Sequence, residues 1–79
     1  MTTTERPRLA KRQRAVLEHL AGYVAQHGYP PTLREQSAAL GINISAVHQH
    51  WQALSRKGYV IWNPKSSRTI RIVEVQHAV

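Results

Sequence analysis

Hydrophobic residues follow one another at helical spacing near the start of the chain. Leu17, Leu20 and Val24 lie three and four residues apart, and Val16 borders the same stripe. This spacing places apolar side chains on one face of a helix, where they can be buried together. The pattern therefore predicts a first helix over residues 11–26.

A second helix is predicted from the residues that would form its two ends. Two prolines precede it and deliver the chain in an extended form. Thr32 and Glu35 have the spacing of a capping box, in which each side chain accepts a hydrogen bond from the other residue's backbone N–H. Gly41 follows Leu40 and tolerates the left-handed conformation that commonly ends a helix. We therefore expect the second helix to begin after Thr32 and to end at Leu40.

A third helix is predicted shortly after the second. Asn43 is a favourable residue at the position directly before a helix. Val47, Trp51 and Leu54 follow it at intervals of four and three, which makes one apolar stripe along residues 44–57. Two helices joined by a tight turn that contains glycine have the layout of a helix-turn-helix.

The pattern changes after the third helix. Residues 59–62 are aromatic or β-branched, residues 63–67 are typical of a turn, and residues 69–73 largely alternate polar and apolar. Two strand-like runs around a polar loop predict a β-hairpin. The predicted fold is mainly α with a small β-hairpin (α+β): a three-helix winged helix-turn-helix, with the hairpin as the wing.

The length of 79 residues fits one domain. We expect a flexible N-terminal arm over residues 1–8, the winged helix-turn-helix over 9–73 and a short tail over 74–79. The arm carries Arg6 and Arg8. It is either a disordered tail or an arm that touches phosphate.

The charge of the chain narrows the range of partners. Eleven Lys and Arg residues against four acidic ones give a net charge of +7 and an isoelectric point near 10.9. Such an excess can serve solubility, but beside a helix-turn-helix it favours nucleic acid as the partner. The chain has no cysteine and no apolar run near the roughly 18 residues of a membrane span. Because residues 1–14 have no apolar stretch, we do not expect them to be a signal peptide. We expect a cytoplasmic protein.

The chain resembles the N-terminal DNA-binding domain of the LexA repressor family. The likeness covers about residues 9–73. The matching segments are Arg12-Gln13 with Val16-Leu17, Gly28 to Glu35, Ala39 to Ile42, His50 to Leu54, Arg56 to Gly58 and Ser67 to Arg71. Two motifs are fairly specific to that family: G-x-P-P-T-x-x-E, which leads into the second helix, and A-L-x-x-K-G, which ends the third. The helix-turn-helix residues between these motifs are much less specific.

The resemblance implies a sequence-specific regulator of transcription that binds double-stranded DNA, most simply a repressor. Helix 44–57 would enter the major groove and wing 63–68 would lie on the phosphate backbone. Family members also carry a self-cleaving peptidase domain that dimerises them, and this chain has no counterpart of it. We therefore expect an excised domain or a stand-alone regulator, monomeric in isolation, with pairing possible on two DNA half-sites.

The third helix has a polar side opposite its apolar stripe. Side chains near the start of such a helix meet base edges, where Gln pairs with adenine and apolar groups contact the thymine methyl. The residues predicted to contact bases are Asn43, Ile44, Ser45, Ala46, His48, Gln49 and Gln52. In this family acidic residues often stand where His48 and Gln49 stand here, so the operator sequence of the family does not carry over.

A second group of residues is predicted to contact phosphates, which supply affinity rather than sequence reading. They lie at the start of the second helix, at the end of the third and in the wing. The group consists of Thr32, Arg34, Arg56, Lys57, Lys65, Ser66 and Arg68.

The sequence is also compatible with other functions. A winged-helix module that docks an acidic protein or RNA is the main alternative, and a subunit of a nucleic-acid enzyme is a third. Trp51 and Trp62 are either packed or serve as stacking platforms for single-stranded bases. No set of nucleophile, base and metal ligands emerges from four glutamates without aspartate or cysteine, so we expect no enzyme, no metal and no cofactor.

Overall fold

The structure is a computed structural model that describes residues 8–66 and 68–73. Three helices precede a two-stranded antiparallel hairpin. Their bounds are α1 Lys11–His27, α2 Leu33–Leu40, α3 Ile44–Arg56, β1 Val60–Ile61 and β2 Arg71–Ile72. The predicted fold class, mainly helical with a small wing, is confirmed. The predictions for the arm, for Ser67 and for the tail lie outside the described residues, apart from Arg8.

The ends of α2 and α3 are closed by the hydrogen bonds expected of them. Thr32 Oγ1 accepts from the Glu35 backbone N–H at 3.0 Å, and Glu35 Oε1 accepts from the Thr32 N–H at 2.9 Å. Asn43 Oδ1 accepts from the Ala46 N–H at 2.8 Å. Gly41 has φ of 70°, the left-handed conformation that suits glycine. The short turn between α2 and α3 therefore begins at a glycine in the left-handed conformation and ends at the side-chain cap of Asn43.

The core lies where α1, α3 and the hairpin meet. Its buried hydrophobic residues are Val16, Leu20, Val47, Trp51, Leu54, Val60 and Ile70. The apolar stripe predicted along α3 is confirmed, and so is the packing of Trp51, which is 3% exposed. Leu33 and Leu40 of α2 pack against this cluster while remaining partly exposed.

The core face of α1 differs from the prediction by one helical turn. Val16 is 1% exposed and belongs to the centre of the core, whereas Val24 is 36% exposed. Val16 and Leu20, four residues apart, face the core cluster. Val24 lies beyond them, at an open hollow that Tyr29 and Ile72 also line. Helical spacing identifies the face of a helix, but it does not show how far along the helix its neighbours extend.

A buried amide joins the three helices. Gln36 of α2 is fully buried, and its Nε2 donates to the Val16 carbonyl of α1 at 3.1 Å and lies 2.9 Å from Nδ1 of His19. Its Oε1 accepts from the indole N–H of Trp51 on α3. Because an indole nitrogen only donates, Oε1 must face Trp51, and the two protons of the amide serve the partners on α1. Every polar atom of this buried side chain is therefore paired.

The hairpin is shorter than the sequence predicted. Among the described residues, the paired positions are Val60 with Ile72 and Ile61 with Arg71, and the Val73 N–H also donates to the Tyr59 carbonyl at 2.9 Å. Thr69, which was expected in the second strand, lies outside it, and its side chain is bonded to the loop. Its hydroxyl lies 3.0 Å from the Asn63 carbonyl oxygen and 3.1 Å from that of Ser66, so its one proton can be donated to either of them.

Replacing Gln36 by Leu tests the buried amide. Leu keeps a similar volume but leaves the Trp51 N–H without its acceptor, which should lower the free energy of unfolding by about 1–3 kcal/mol. Urea unfolding followed by tryptophan fluorescence measures this loss. Gln26→Leu, on the exposed side of α1, is the matched control and should change stability little. Equal effects of both changes would mean that the amide does not hold the helices together.

Candidate nucleic-acid interface

A groove lies between the start of α2, the start of α3 and the wing. It encloses about 320 Å³. The lining residues are Thr32, Leu33 and Arg34 of α2, Ile44 and Trp51 of α3, and Trp62, Pro64, Lys65, Ser66 and Arg68 of the wing. The groove brings together five residues predicted to contact phosphate, Thr32, Arg34, Lys65, Ser66 and Arg68, although they are far apart in the sequence. Of the residues predicted to contact bases, Ile44 lines the groove.

The outward face of α3 is polar and uncharged over its first two turns. Ser45, Gln49 and Gln52 are exposed, and Ile44 is 40% exposed at the edge of the groove. Ser45, Gln49 and Gln52 lie opposite the buried stripe of α3, and Ile44 lies beside it. These side chains end in hydroxyl, amide or methyl groups. Such groups match the hydrogen-bonding and methyl positions of base edges in the major groove.

Three other predicted base-contacting residues are partly engaged inside the protein. The side-chain oxygen of Asn43 caps α3, and Ala46 is half-buried. The His48 ring is half-buried and meets the Trp62 ring edge to face, with the centroids 5.0 Å apart. The side chains of Asn43 and His48 are thus partly used in contacts within the protein.

Trp62 lies at the base of the wing, between the wing and α3. Its ring packs edge to face against Trp51, with 5.3 Å between the centroids, and it remains half-buried. It lines the groove on one side of the wing and a second hollow on the other, beside Gln52 and Arg56. Trp62 is thus packed on Trp51 and His48 and still contributes to the lining of the groove.

Three predicted phosphate-contacting residues have free cationic groups. Arg34 at the start of α2, Arg56 at the end of α3 and Lys65 in the wing loop are exposed. Within residues 8–66 and 68–73 none of these three forms an ion pair. Ser66 is also exposed, whereas the hydroxyl of Thr32 is used in the α2 cap. The three cations surround the uncharged face of α3 on separate elements.

Lys57 has partners within the protein. Its ammonium group donates to the Arg8 carbonyl at 2.9 Å and to Gln13 Oε1 at 2.8 Å. These bonds join the end of α3 to the start of α1. A phosphate contact by Lys57 would have to share or replace them.

Arg68 is engaged more fully than Lys57. Its Nη2 donates to Glu35 Oε2 at 2.8 Å, and its Nη1 donates to the Pro30 carbonyl at 2.9 Å. The guanidinium also lies over the Tyr29 ring, 4.8 Å from its centroid. Its charge is therefore directed at the segment before α2 and at α2 itself.

Glu35 receives bonds from three parts of the fold. Besides Arg68 and the Thr32 N–H, the Tyr23 hydroxyl of α1 donates to it at 3.1 Å. The hydrogen bond from Arg68, followed by the bond from the Thr32 backbone, lowers the pKa of Glu35 to about 2. The carboxylate is thus ionised and neutralised by Arg68 at neutral pH, so it does not repel an anion in the groove.

The sequence predicted Glu35 only as a helix cap, and it did not single out Gln36. The bonds of Glu35 to Tyr23 and Arg68 span 12 and 33 residues, and no local pattern indicates them. Gln36 left a weak signal, since it stands three residues after Leu33 and four before Leu40. It is thus a polar residue on the apolar side of α2.

A family model for the LexA DNA-binding domain matches residues 6–69. The chain belongs to this family. The match spans all three helices and most of the wing, so it includes the groove and the exposed face of α3.

Curated LexA repressors align with the same part of the chain. LexA repressor 1 of Geobacter sulfurreducens is 48% identical over 66 residues, which cover 82% of this chain and 33% of that protein. The LexA repressor of Thermosipho melanesiensis is 35% identical over 72 residues, 91% of this chain and 36% of that protein. The chain therefore spans about a third of the length of these relatives.

The described residues contain no group of three or more His, Cys, Asp and Glu side chains placed to hold a metal ion. In that part of the chain, no helix has the length and apolar character needed to cross a bilayer.

The ion pair of Glu35 predicts a pH dependence of stability. Because folding lowers the pKa of Glu35 from 4.5 to about 2, its contribution is present above pH 4.5 and is lost as the pH falls toward 2. Glu35→Gln should therefore be less stable than the wild type at pH 7, and the difference should shrink across that acidic window. Urea unfolding at several pH values measures the difference. Glu18→Gln, on the exposed side of α1, controls for the change in net charge. A difference that stayed constant down to pH 2 would contradict the role of the ionised carboxylate.

Proposed function

We propose that this chain binds double-stranded DNA in a sequence-specific manner and regulates transcription, as a repressor. Family membership over residues 6–69 carries the proposal, together with an uncharged, exposed face of α3 surrounded by free cations. A sequence-specific binder needs both features, because base edges are read by directional hydrogen bonds and phosphates by charge. Since the proposed partner is chromosomal DNA, the cytoplasm is the expected place of action.

In the proposed complex the start of α3 enters the major groove. Ser45, Gln49 and Gln52 then face base edges, and Ile44 is placed to meet a thymine methyl. Asn43, Ala46 and His48 complete the predicted set, at positions where their internal contacts restrict their movement. Gln49 is the residue on which we expect specificity to depend most, because its amide is exposed and both donates and accepts.

The phosphate backbone would then run along the groove. Arg34 and Thr32 lie on its α2 side, Lys65 and Ser66 lie on its wing side, and Arg56 lies beyond the wing. We infer that the three free cations supply most of the nonspecific attraction. We also infer a monomer in isolation, with pairing possible on two DNA half-sites. Among the exposed large hydrophobic residues of the described chain, Val24 and Tyr29 line one hollow, Ile44 lines the separate groove and Ile61 lies on β1, so they do not make one apolar face.

Gln49→Ala tests the base-reading face. It should weaken binding to a site selected from random duplexes by about 1–3 kcal/mol and should change binding to scrambled DNA little. Fluorescence anisotropy with both duplexes measures the two losses. Gln26→Ala, far along α1, is the matched control. Equal losses on both duplexes would place the wrong face of α3 in the groove.

Lys65→Ala tests the wing. Removing one phosphate contact should weaken binding to every duplex similarly and reduce the magnitude of the salt slope by about 0.9. The slope is obtained from dissociation constants measured over a fourfold range of salt. An unchanged slope would remove the wing from the interface. Binding to an acidic protein or to RNA, with no preference among duplexes, would instead support a docking module.

A further inference from the structure

Arg68 follows the wing loop but is bonded away from the wing. The Glu35 carboxylate and the Pro30 carbonyl, its two hydrogen-bond acceptors, belong to α2 and to the segment before it, as does the Tyr29 ring beneath it. These bonds span 33 and 38 residues of sequence. Arg68 also has φ of 57°, a left-handed conformation that is unusual for a residue other than glycine. The Arg68 backbone thus has an unusual conformation, and from this conformation the side chain reaches α2.

The hairpin itself gives the wing little rigidity. Its ladder consists of two residue pairs, and an isolated two-stranded hairpin is at best marginally stable in water. The loop residues Pro64, Lys65 and Ser66 are exposed. Bonds within the loop, such as those from the Thr69 hydroxyl, fix its shape but do not fix its distance from the helices.

We propose that Arg68 is a positioning residue, which anchors the wing to the start of α2 through Glu35 and thereby sets the width of the groove that receives the DNA backbone. The proposal rests on the DNA-binding function proposed above. It replaces the expectation that Arg68 itself contacts a phosphate. The groove has α2 residues on one side and wing residues on the other, and the Arg68–Glu35 bond crosses directly between these sides.

The two roles of Arg68 make opposite predictions for Glu35. If Arg68 contacts phosphate directly, its pairing with Glu35 competes with DNA, and removing the carboxylate charge frees a cation and eliminates an anion. Binding should then become tighter. If Arg68 acts through Glu35, removing that charge loosens the wing, so binding should become weaker even though the protein becomes more positive.

The experiment compares Glu35→Gln, Arg68→Gln and the double variant. Gln at position 35 still accepts from the Thr32 N–H, because a capping box works with Glu or Gln, so α2 keeps its cap. We expect each single variant to bind the selected duplex about five- to tenfold more weakly, and the double variant to bind no more weakly than either one. The salt slope should stay at its wild-type value in all three.

Lys65→Gln is the matched control, since it removes a cation from the same loop without touching Glu35. It should reduce the magnitude of the salt slope by about 0.9, which the three anchor variants should not do. Tighter binding by Glu35→Gln, or a reduced slope for Arg68→Gln, would overturn the proposal. Each variant is first shown by circular dichroism to be folded at the temperature of the binding assay.

A measurement without DNA separates this proposal from the proposed function. The Arg68 side chain lies over the face of Tyr29, so ring currents should shift its δ-proton resonances upfield in the free protein. The shift should be lost in Glu35→Gln and should persist in Lys65→Gln. Wild-type resonances at their ordinary positions would overturn the anchor. Anchored resonances in a protein that binds no duplex would leave the anchor standing and refute the DNA-binding function.

Discussion

The buried amide of Gln36 is the constraint on which the arrangement of the helices depends. An unpaired amide in an apolar core costs several times what a single hydrogen bond contributes, so this side chain is tolerated only where all its partners are present. Val16 and His19 are supplied by α1 and Trp51 by α3. A shift of either helix would leave a buried polar atom unpaired. Since α2 is short and otherwise contributes only partly buried residues, this network places it more firmly than its apolar contacts do.

The preceding residue, Glu35, extends the same organisation to the surface. Its carboxylate caps α2, accepts from Tyr23 of α1 and pairs with Arg68 of the wing. Two consecutive side chains of α2 therefore connect it to every other part of the fold, Gln36 through the interior and Glu35 outside. Among the described residues the two acids are Glu18 and Glu35. Because Glu35 is paired with Arg68, its negative charge does not offset the positive charge of the cations nearby.

The resulting surface separates the two requirements of DNA recognition. Uncharged side chains on α3, with Gln49 at their centre, face outward from the helix whose other side carries the buried residues Val47 and Trp51. The free cations Arg34 and Lys65 stand on other elements at the edges of the groove. The side chains that we propose to read bases are thus held by core packing, whereas the position of the charges depends on the α2 cap and on the wing.

The sequence by itself determined the local structure of this protein. Thr32, Gly41 and Asn43 act within a few residues of themselves, so the limits of the helices and the layout of the winged helix-turn-helix could be predicted, as could the family. Tertiary structure alone decided which predicted site residues are free. Arg68 and Lys65 look equivalent in the sequence. Arg68, however, is bound to Glu35, 33 positions away, whereas the Lys65 side chain forms no ion pair in the described chain. It also decided that Val16 rather than Val24 is in the core and that a glutamine lies at the centre. Such outcomes depend on which side chains distant segments bring together, and periodicity along one element carries no information about them.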